Sequence, residues 1–280
     1  MSIRIVTDST SDISPEVADA LGITVVPGYI RFGNEVYRDG VDISSAELYD
    51  KMAKTRVRPT TSEPTPEDFA RVYSECSKET DNIISIHISA RMSRIFNSAN
   101  EAKKIAKTPS RIEVIDSQSA SVGLALVVMF AANLVKAGET FETLITQTQL
   151  VLEKIHLLGV FDTMKGLVFS DRVGPGITAL ADVANVKPLL AVKDGVLVRA
   201  GLAQSYQEGV AKLIKFVHDN LPNVKDLAIA YSTIPEQANE LKKHLGRVFP
   251  VETIYVTQLG AALGVHSGSG VLLVALRRGN

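Results

Sequence analysis

The spacing of apolar positions predicts a chain in which short strands alternate with helices. Segments 44–54, 66–78 and 205–221 place apolar residues every three or four positions, as one face of a helix does. The predicted strands are the apolar runs IRIVT, ITVVPGYI, NIISIHI, RIEVI, LLGVF, PLLAV, VLVRA, LAIAY, VETIYV and VLLVAL. Strands that alternate with helices favour parallel or mixed sheets with helices on their faces.

The pattern changes part-way along the chain, which predicts two lobes. A helix from Phe141 to about Leu157 separates strand–helix units from a segment with a predicted hairpin that turns at Asp194-Gly195. We therefore expect an α/β protein with an N-terminal three-layer α/β domain and mainly parallel sheet at 1–155, and a C-terminal α/β domain with a mixed sheet at 156–280. Ligands of such sheets lie beyond the strand ends or between lobes, so we expect the ligand between the two.

Composition indicates a globular protein and disfavours several classes of function. The 280 residues are 45% hydrophobic and 22% charged, with a net charge of -1 and no basic patch, so nucleic-acid binding is not expected. A single cysteine, Cys76, allows no internal disulfide, which fits a reducing compartment. The apolar part of the longest uncharged run, 117–135, is too short to cross a membrane. We expect a cytoplasmic protein with no integral membrane insertion and no secretory signal.

Two predicted strands end in clusters of acids and small hydroxyls. Asp8 to Asp12 follow the run IRIVT, and Asp116 to Ser119 follow RIEVI. Capping of the next helix explains either cluster alone. Two such clusters at one edge of a sheet predict a polar crevice there.

Further hydroxyl donors occur in two predicted loops. Thr60, Thr61 and Ser62 stand in a row, where they offer donors to an anion or serve as ordinary loop residues. Ser93 is the expected N-cap of the helix after NIISIHI, at a helix N-terminus that favours an anion. Arg94 beside it adds a positive charge, although an exposed arginine is common in a first helical turn.

The segment GVHSGSG, residues 264–270, predicts a loop brought close to a ligand. Gly264, Gly268 and Gly270 would let the backbone approach, and His266 would point its imidazole at the ligand. The segment is followed by a strand and lacks GK[ST], so it is neither a dinucleotide fingerprint nor a P-loop, and it has no nucleophile elbow. The five histidines show no metal-ligand spacing, so we expect no metal.

Together these segments resemble the DegV family, which includes the fatty-acid-binding subunits of bacterial fatty acid kinase. The matching motifs, in order over almost the whole chain, are IVTDSTSD, TSEPTPEDF, SARMSRIFNSA, VIDSQSASVGLA and GVHSGSG. The resemblance implies a long-chain fatty acid held in a tunnel, with its carboxylate at Thr61, Ser93 and His266 and with Ser62 and Arg94 beside it. It further implies a lipid-binding protein without cofactor or catalysis of its own, whose bound carboxylate a separate kinase subunit phosphorylates.

The chain departs from the family pattern at several positions. Arg94 and Ile95 replace a Gly-Thr pair, and Glu63 replaces a glutamine near the expected carboxylate site. Arg172, in SDRVGPG, resembles the family's arginine turn that helps the kinase to dock, whereas Gln204 lies where the family has a second basic segment. The change at residues 202–205 bears on the kinase contact, whereas those at Glu63, Arg94 and Ile95 bear on the lipid site.

An enzyme is the alternative reading of the same residues. A hydrolase or acyl transferase would use His266 as base and Ser93 or a neighbouring serine as nucleophile. Turnover of a generic ester that is lost on Ser93→Ala would favour this alternative. A DNA-binding regulator is disfavoured by the net charge.

Overall fold

The protein, studied as a computed structural model, is described over residues 2–55, 57–163, 167 and 186–279. These residues form three β-sheets with helices packed against them. The strands are β1 Ile3–Asp8, β2 Ile23–Val26, β3 Tyr29–Phe32, β4 Glu35–Arg38, β5 Thr60–Ser62, β6 Asn82–His87, β7 Arg111–Asp116, β8 Ile155–Val160, β9 Lys187–Lys193, β10 Val196–Ala203, β11 Val224–Tyr231, β12 Tyr255–Gln258 and β13 Leu272–Arg278. The helices are α1 Pro15–Leu21, α2 Ser45–Lys54, α3 Pro66–Cys76, α4 Ile95–Ile105, α5 Ser121–Lys136, α6 Phe141–Leu152, α7 Tyr206–Asn220, α8 Pro235–Leu245 and α9 Ala261–Ser267.

The first sheet is parallel and has the strand order β2-β1-β6-β7. Every residue of the inner strand β6 is buried, as expected for a strand covered by helices on both faces. Because the strands are parallel, their carboxyl ends meet at one edge of the sheet. The polar clusters that begin at Asp8 and Asp116 therefore share that edge, as the sequence predicted.

The second sheet is small, antiparallel and ordered β4-β3-β5. The run ITVVPGYI, predicted as one strand, is divided between two sheets at Pro27-Gly28. Proline has no N–H for a strand ladder, and the N–H of Gly28 donates to Ser9 Oγ at 3.1 Å instead of to a neighbouring strand. The hydroxyl row predicted as a loop forms β5, in which Thr61 pairs with Ile30.

The third sheet is mixed and has the order β10-β9-β8-β13-β11-β12. Only β11 and β12 are parallel among its described pairs. The predicted hairpin is present as β9 and β10. Its turn residues Asp194 and Gly195 have φ values of 50° and 75°, as a two-residue turn with positive φ at both positions requires.

The two halves of the chain are joined by α5 and α6. The apolar helix α5 contacts strands β1 and β6 of the parallel sheet and strands β8, β11 and β13 of the mixed sheet. The connecting helix α6 ends at Leu152, earlier than predicted, and β8 begins at Ile155. All described strands of the mixed sheet lie from residue 155 onward. Helix α9, however, packs into the N-terminal half, so the domain division at 155 stays a prediction. Among the described helices, none is long and apolar enough to span a membrane.

Candidate functional site

An apolar cavity lies between the two halves of the chain and is the centre of the candidate site. Its volume is about 70 Å³, well above the roughly 10–15 Å³ that one water needs, but an apolar wall offers water few hydrogen bonds. The described residues that line it are Ile88, Met92, Ala120, Ser121, Leu157, Phe161, Leu167, Val192, Leu197, Leu259, Leu263, His266, Ser267, Val271 and Leu273. The cavity therefore suits an apolar ligand that has a polar group near the imidazole.

His266 reaches this cavity from a helix rather than from the predicted loop. It lies in the last turn of α9, and Gly268, the residue after the helix, has a φ of 73°. Gly264 lies inside the helix, where an added Cβ would be 2.8 Å from the phenol oxygen of Tyr49. Gly270 has a φ of 71°, and its Cβ would be 2.6 Å from Cβ of Asp162. The three glycines thus allow close packing within the chain and a turn, and their role beside a ligand stays a prediction.

Thr61 and His266, predicted from separate motifs, are in direct contact. Thr61 Oγ1 and His266 Nε2 form a hydrogen bond of 2.8 Å between β5 and α9, across 205 positions of sequence. Both side chains are partly exposed. A hydroxyl and an imidazole held together beside an apolar cavity can donate to a carboxylate.

Ser93 lies in the turn between β6 and α4, one residue after the cavity-lining Met92. It is not the N-cap as predicted, because α4 begins at Ile95 and Arg94 occupies the cap position without a side-chain bond. Ser93 Oγ nevertheless accepts the N–H of Ile95 at 3.3 Å. A hydroxyl that accepts one bond can still donate its own proton, so Ser93 keeps the capacity to bind an anion.

Ser62 and Arg94 are placed apart from the pair of Thr61 and His266. Successive side chains of a strand point to opposite faces, so Ser62 faces away from Thr61. Ser62 and Arg94 line a separate polar groove together with Glu63. Arg94 Nε is 3.7 Å from Glu63 Oε1, and the Arg94 side chain is 82% exposed. Four of the five predicted residues therefore form two pairs, and Ser93 lies in sequence between the cavity-lining Met92 and Arg94 of the groove.

Comparison with known proteins decides the family. The family model described as "Uncharacterised protein, DegV family" matches residues 2–278. The chain belongs to the DegV family. A DegV domain-containing protein of Deinococcus radiodurans is 32% identical over 279 residues, which cover 99% of this chain and 98% of that protein. The resemblance inferred from the five motifs is confirmed.

Solved DegV structures confirm the α/β fold with its parallel and mixed sheets. A fatty-acid-binding DegV protein of Thermus thermophilus has 31% identity and a TM-score of 0.92, with 99% of this chain and 100% of that chain covered. A DegV protein of Ruminococcus gnavus with vaccenic acid has 25% identity and a TM-score of 0.88, over 98% and 99% of the two chains. A stearic-acid-binding protein of Eubacterium ventriosum has 25% identity and a TM-score of 0.88, over 99% and 98%.

The kinase contact that the resemblance implies concerns Arg172 and the segment that contains Gln204. Arg172 lies outside the described residues. The backbone N–H of Gln204 donates to Glu208 Oε2 at 2.7 Å, at the start of α7. The backbone at Gln204 therefore takes part in ending β10 and beginning this helix.

Asp12 was predicted from the sequence only as part of a polar cluster, but it has a further structural role. Its Oδ1 accepts the N–H of Gly260 at 2.8 Å, and its Oδ2 accepts the hydroxyl of the cavity-lining Ser121 at 2.5 Å. Burial raises the pKa of Asp12 to about 8, against the opposing effect of these hydrogen bonds. Asp12 thus links the strand-end crevice of this DegV fold to both the cavity wall and the approach to α9. Its φ of 54°, unusual for a residue other than glycine, is not readable from the pattern.

A serine–histidine–aspartate chain occurs in this DegV core, away from His266. His87 Nδ1 donates to Asp8 Oδ2 at 2.9 Å, and Ser85 Oγ lies 2.7 Å from His87 Nε2. The connectivity is that of a nucleophile, base and acid. All three residues have 0% exposure, so a substrate has no access to them. They form a satisfied polar network inside the parallel sheet.

Proposed function

We propose that this DegV protein binds one long-chain fatty acid and presents the carboxylate to a separate kinase for acyl phosphate formation. The observation that carries the proposal is the Thr61–His266 pair beside an otherwise apolar cavity. Relatives with the same fold support it, since those of Thermus thermophilus and Eubacterium ventriosum are described as fatty-acid-binding and stearic-acid-binding. In this proposal the ligand lies between lobes 1–155 and 156–280, and the protein acts in the cytoplasm.

The head group is held by hydroxyls and an imidazole. When His266 Nε2 carries the proton, it donates to Thr61 Oγ1, and the hydroxyl proton of Thr61 is then directed to the carboxylate. Ser93 donates from the turn before α4. Charge-assisted hydrogen bonds of this kind contribute about 1.5–3 kcal/mol each when water is excluded.

The acyl chain supplies most of the affinity. Burial of about 14 methylenes at ~0.8 kcal/mol each contributes up to ~11 kcal/mol before the costs of binding. In this proposal the acyl chain lies along the apolar side chains that line the cavity. Met92 among them is unbranched and flexible, so it can adjust to the shape of the chain.

The chemical step belongs to the partner. The sequence has no P-loop and no dinucleotide fingerprint, so ATP is bound by the kinase. A carboxylate oxygen attacks the γ-phosphorus of ATP, the bond to the β-phosphate oxygen breaks, and ADP leaves with that electron pair. The DegV chain orients the carboxylate and needs no cofactor for this role.

Extraction of the purified protein should release a saturated or monounsaturated long-chain fatty acid. We expect about one molecule per chain by mass spectrometry, because one cavity is proposed to hold one ligand. Protein that is delipidated and reloaded serves as the control and should reach the same ratio. Absence of lipid from both samples, or a polar metabolite in its place, contradicts the proposal.

Arg172→Ala should weaken kinase-dependent acyl phosphate formation and leave fatty-acid binding unchanged. We propose that this arginine meets an acidic surface of the kinase, as the resemblance implies, so the defect should diminish at high salt. Arg247→Ala, at an exposed arginine after α8, is the control and should behave like the wild type. A fall in lipid retention on Arg172→Ala would show that the residue serves the ligand instead.

A further inference from the structure

The helix that carries His266 belongs to the C-terminal half by sequence but packs into the N-terminal half. Helix α9 contacts α2, β3 and β5. The buried apolar residues of this contact are Ile30, Phe32, Ile43, Leu48, Ala261, Ala262 and Val265. Thr61 is held by the same unit, because β5 pairs with β3 at Ile30. The distance between Thr61 and His266 therefore depends on how α9 is seated on this unit.

The first turn of α9 is held by an aspartate of the N-terminal half. Asp39 Oδ1 accepts the N–H of Ala261 at 3.0 Å. Asp39 is 5% exposed, and burial raises the pKa of its carboxyl to about 6. The neighbouring acids Asp8 and Asp12 face the same region, and Asp12 accepts the preceding N–H of Gly260. The carboxyl groups of Asp39 and Asp12 thus accept N–H groups at the start of α9, where a helix leaves such donors without intrahelical partners.

The other end of α9 is held by a tyrosine of α2. The phenol of Tyr49 donates to the carbonyl oxygen of Gly268 at 3.0 Å, two residues after His266. The phenol reaches this position because Gly264 has no side chain, since a Cβ there would be 2.8 Å from the phenol oxygen. The residue types at positions 49 and 264 are thus matched to each other.

A helix of seven residues has too few internal hydrogen bonds to hold its own orientation. Its position is set by the apolar contact and by the bonds at its two ends. Hydrogen bonds weaken steeply as donor and acceptor move out of line, so a small shift of α9 is enough to disrupt the 2.8 Å contact of His266 with Thr61.

We propose that Asp39 and Tyr49 are positioning residues that hold His266 against Thr61 and thereby set the preference of the site for a carboxylate. The inference rests on the proposed function and adds two residues to the head-group site. Neither residue is proposed to touch the ligand. Both act through α9, one from each end.

Tyr49→Phe tests the proposal because it removes a single oxygen. We expect the ratio of affinities for palmitic acid over hexadecanol to fall by about 3- to 10-fold, with little change in the affinity for the alcohol. Tyr37→Phe is the matched control, since its phenol lies in the same unit but accepts its hydrogen bond from Lys51 Nζ of α2, at 3.1 Å. This control should keep the wild-type ratio.

Asp39 offers a second test through a conservative rescue. Asp39→Asn keeps a carbonyl oxygen for the N–H of Ala261 and should retain the acid-to-alcohol ratio, whereas Asp39→Ala should lower it. If Asp39→Ala fails to fold, the Tyr49→Phe result decides the proposal alone. Thermal melts report the stability of each variant separately from the ratio.

A double-mutant cycle with His266→Ala separates positioning from general structural support. In the His266→Ala background, Tyr49→Phe should not lower the ratio of acid affinity to alcohol affinity any further. The positioning role is overturned if Tyr49→Phe lowers the affinities for the acid and the alcohol equally. It is also overturned if Tyr49→Phe lowers their ratio as much in His266→Ala protein as in the wild type. Wild-type protein that binds neither ligand, or does not prefer the acid, contradicts the proposed function itself. An unchanged ratio in Tyr49→Phe protein with a wild-type acid preference contradicts only the positioning inference.

Discussion

His266→Ala should weaken the binding of palmitic acid by about 10- to 100-fold without unfolding the protein. The imidazole contributes one charge-assisted hydrogen bond, directly or through Thr61, and such a bond is worth about 1.5–3 kcal/mol. The side chain is partly exposed at the end of a short helix, so its removal leaves no large cavity in the core. Binding is measured by titration calorimetry with delipidated protein, and folding by circular dichroism.

The head-group role is separated from packing by a ligand of equal length. Hexadecanol lacks the charged group, so it should bind more weakly to the native protein and lose little further on His266→Ala. Ser93→Ala should act in the same direction as His266→Ala. The control His244→Ala, at an exposed histidine of α8, should leave both affinities unchanged. If His266→Ala weakens acid and alcohol equally, the residue shapes α9 and does not recognise the carboxylate.

Asp12→Asn should remove a large part of the decline in stability between pH 6 and pH 9. The pKa of Asp12 is about 8 in the folded protein because of burial, against 3.8 for an ordinary aspartate. Between these values the folded state holds a proton that the unfolded state has lost. The free energy of unfolding therefore falls as pH rises, with a total change on the order of 5 kcal/mol across the whole window.

Asparagine imitates the protonated carboxyl and cannot ionise. Its carbonyl oxygen can accept the N–H of Gly260, and its amide can donate to Ser121 Oγ. Relative to the wild type, Asp12→Asn protein should gain stability as pH rises toward 8, after which the difference levels off. Urea unfolding at pH 6, 7, 8 and 9 measures the difference. Asp50→Asn, at an exposed aspartate, is the control; the same pH dependence in wild type and Asp12→Asn contradicts the prediction.

The pH range of this experiment avoids the other acids with shifted pKa values. Burial raises the pKa of Asp39 to about 6, so the free energy of unfolding that depends on its ionisation changes mainly below that pH range. Hydrogen bonds from Arg38 lower the pKa of Asp42 to about 2, so its stabilising effect is lost only as pH falls toward 2. The effect of Asp42 also cancels in the comparison of the variant with the wild type.

Features that depend on neighbouring residues were predictable from the sequence. The apolar runs IRIVT, NIISIHI and RIEVI form strands of the parallel sheet, because buried strands of such sheets consist of continuous apolar residues. The Asp194-Gly195 turn follows from the positive φ that both positions of the turn require. The family followed from five motifs in order, each of which is a short local pattern.

Features that depend on distant residues were decided by the tertiary structure. The segment at 264–270 was predicted as a loop because glycine destabilises helices, yet its first part is helical. The packing of Gly264 against Tyr49 and Leu48 compensates for that low helix propensity. These contacts join distant parts of the chain, as does the hydrogen bond between Tyr49 and Gly268, which are 219 positions apart.

The candidate site shows the same division. The sequence alone determined which residue types can bind a carboxylate, because hydroxyls and an imidazole are recognisable one motif at a time. Only the tertiary structure decided that Thr61 meets His266 and that Ser62 does not. The direction in which the Ser62 side chain points depends on β5 being a strand. Strand β5 forms because it pairs with β3, about 30 positions earlier in the sequence. Local propensity in a three-residue segment is too weak to specify such a pairing, so its energy comes from the partner strand and from the packing of α9.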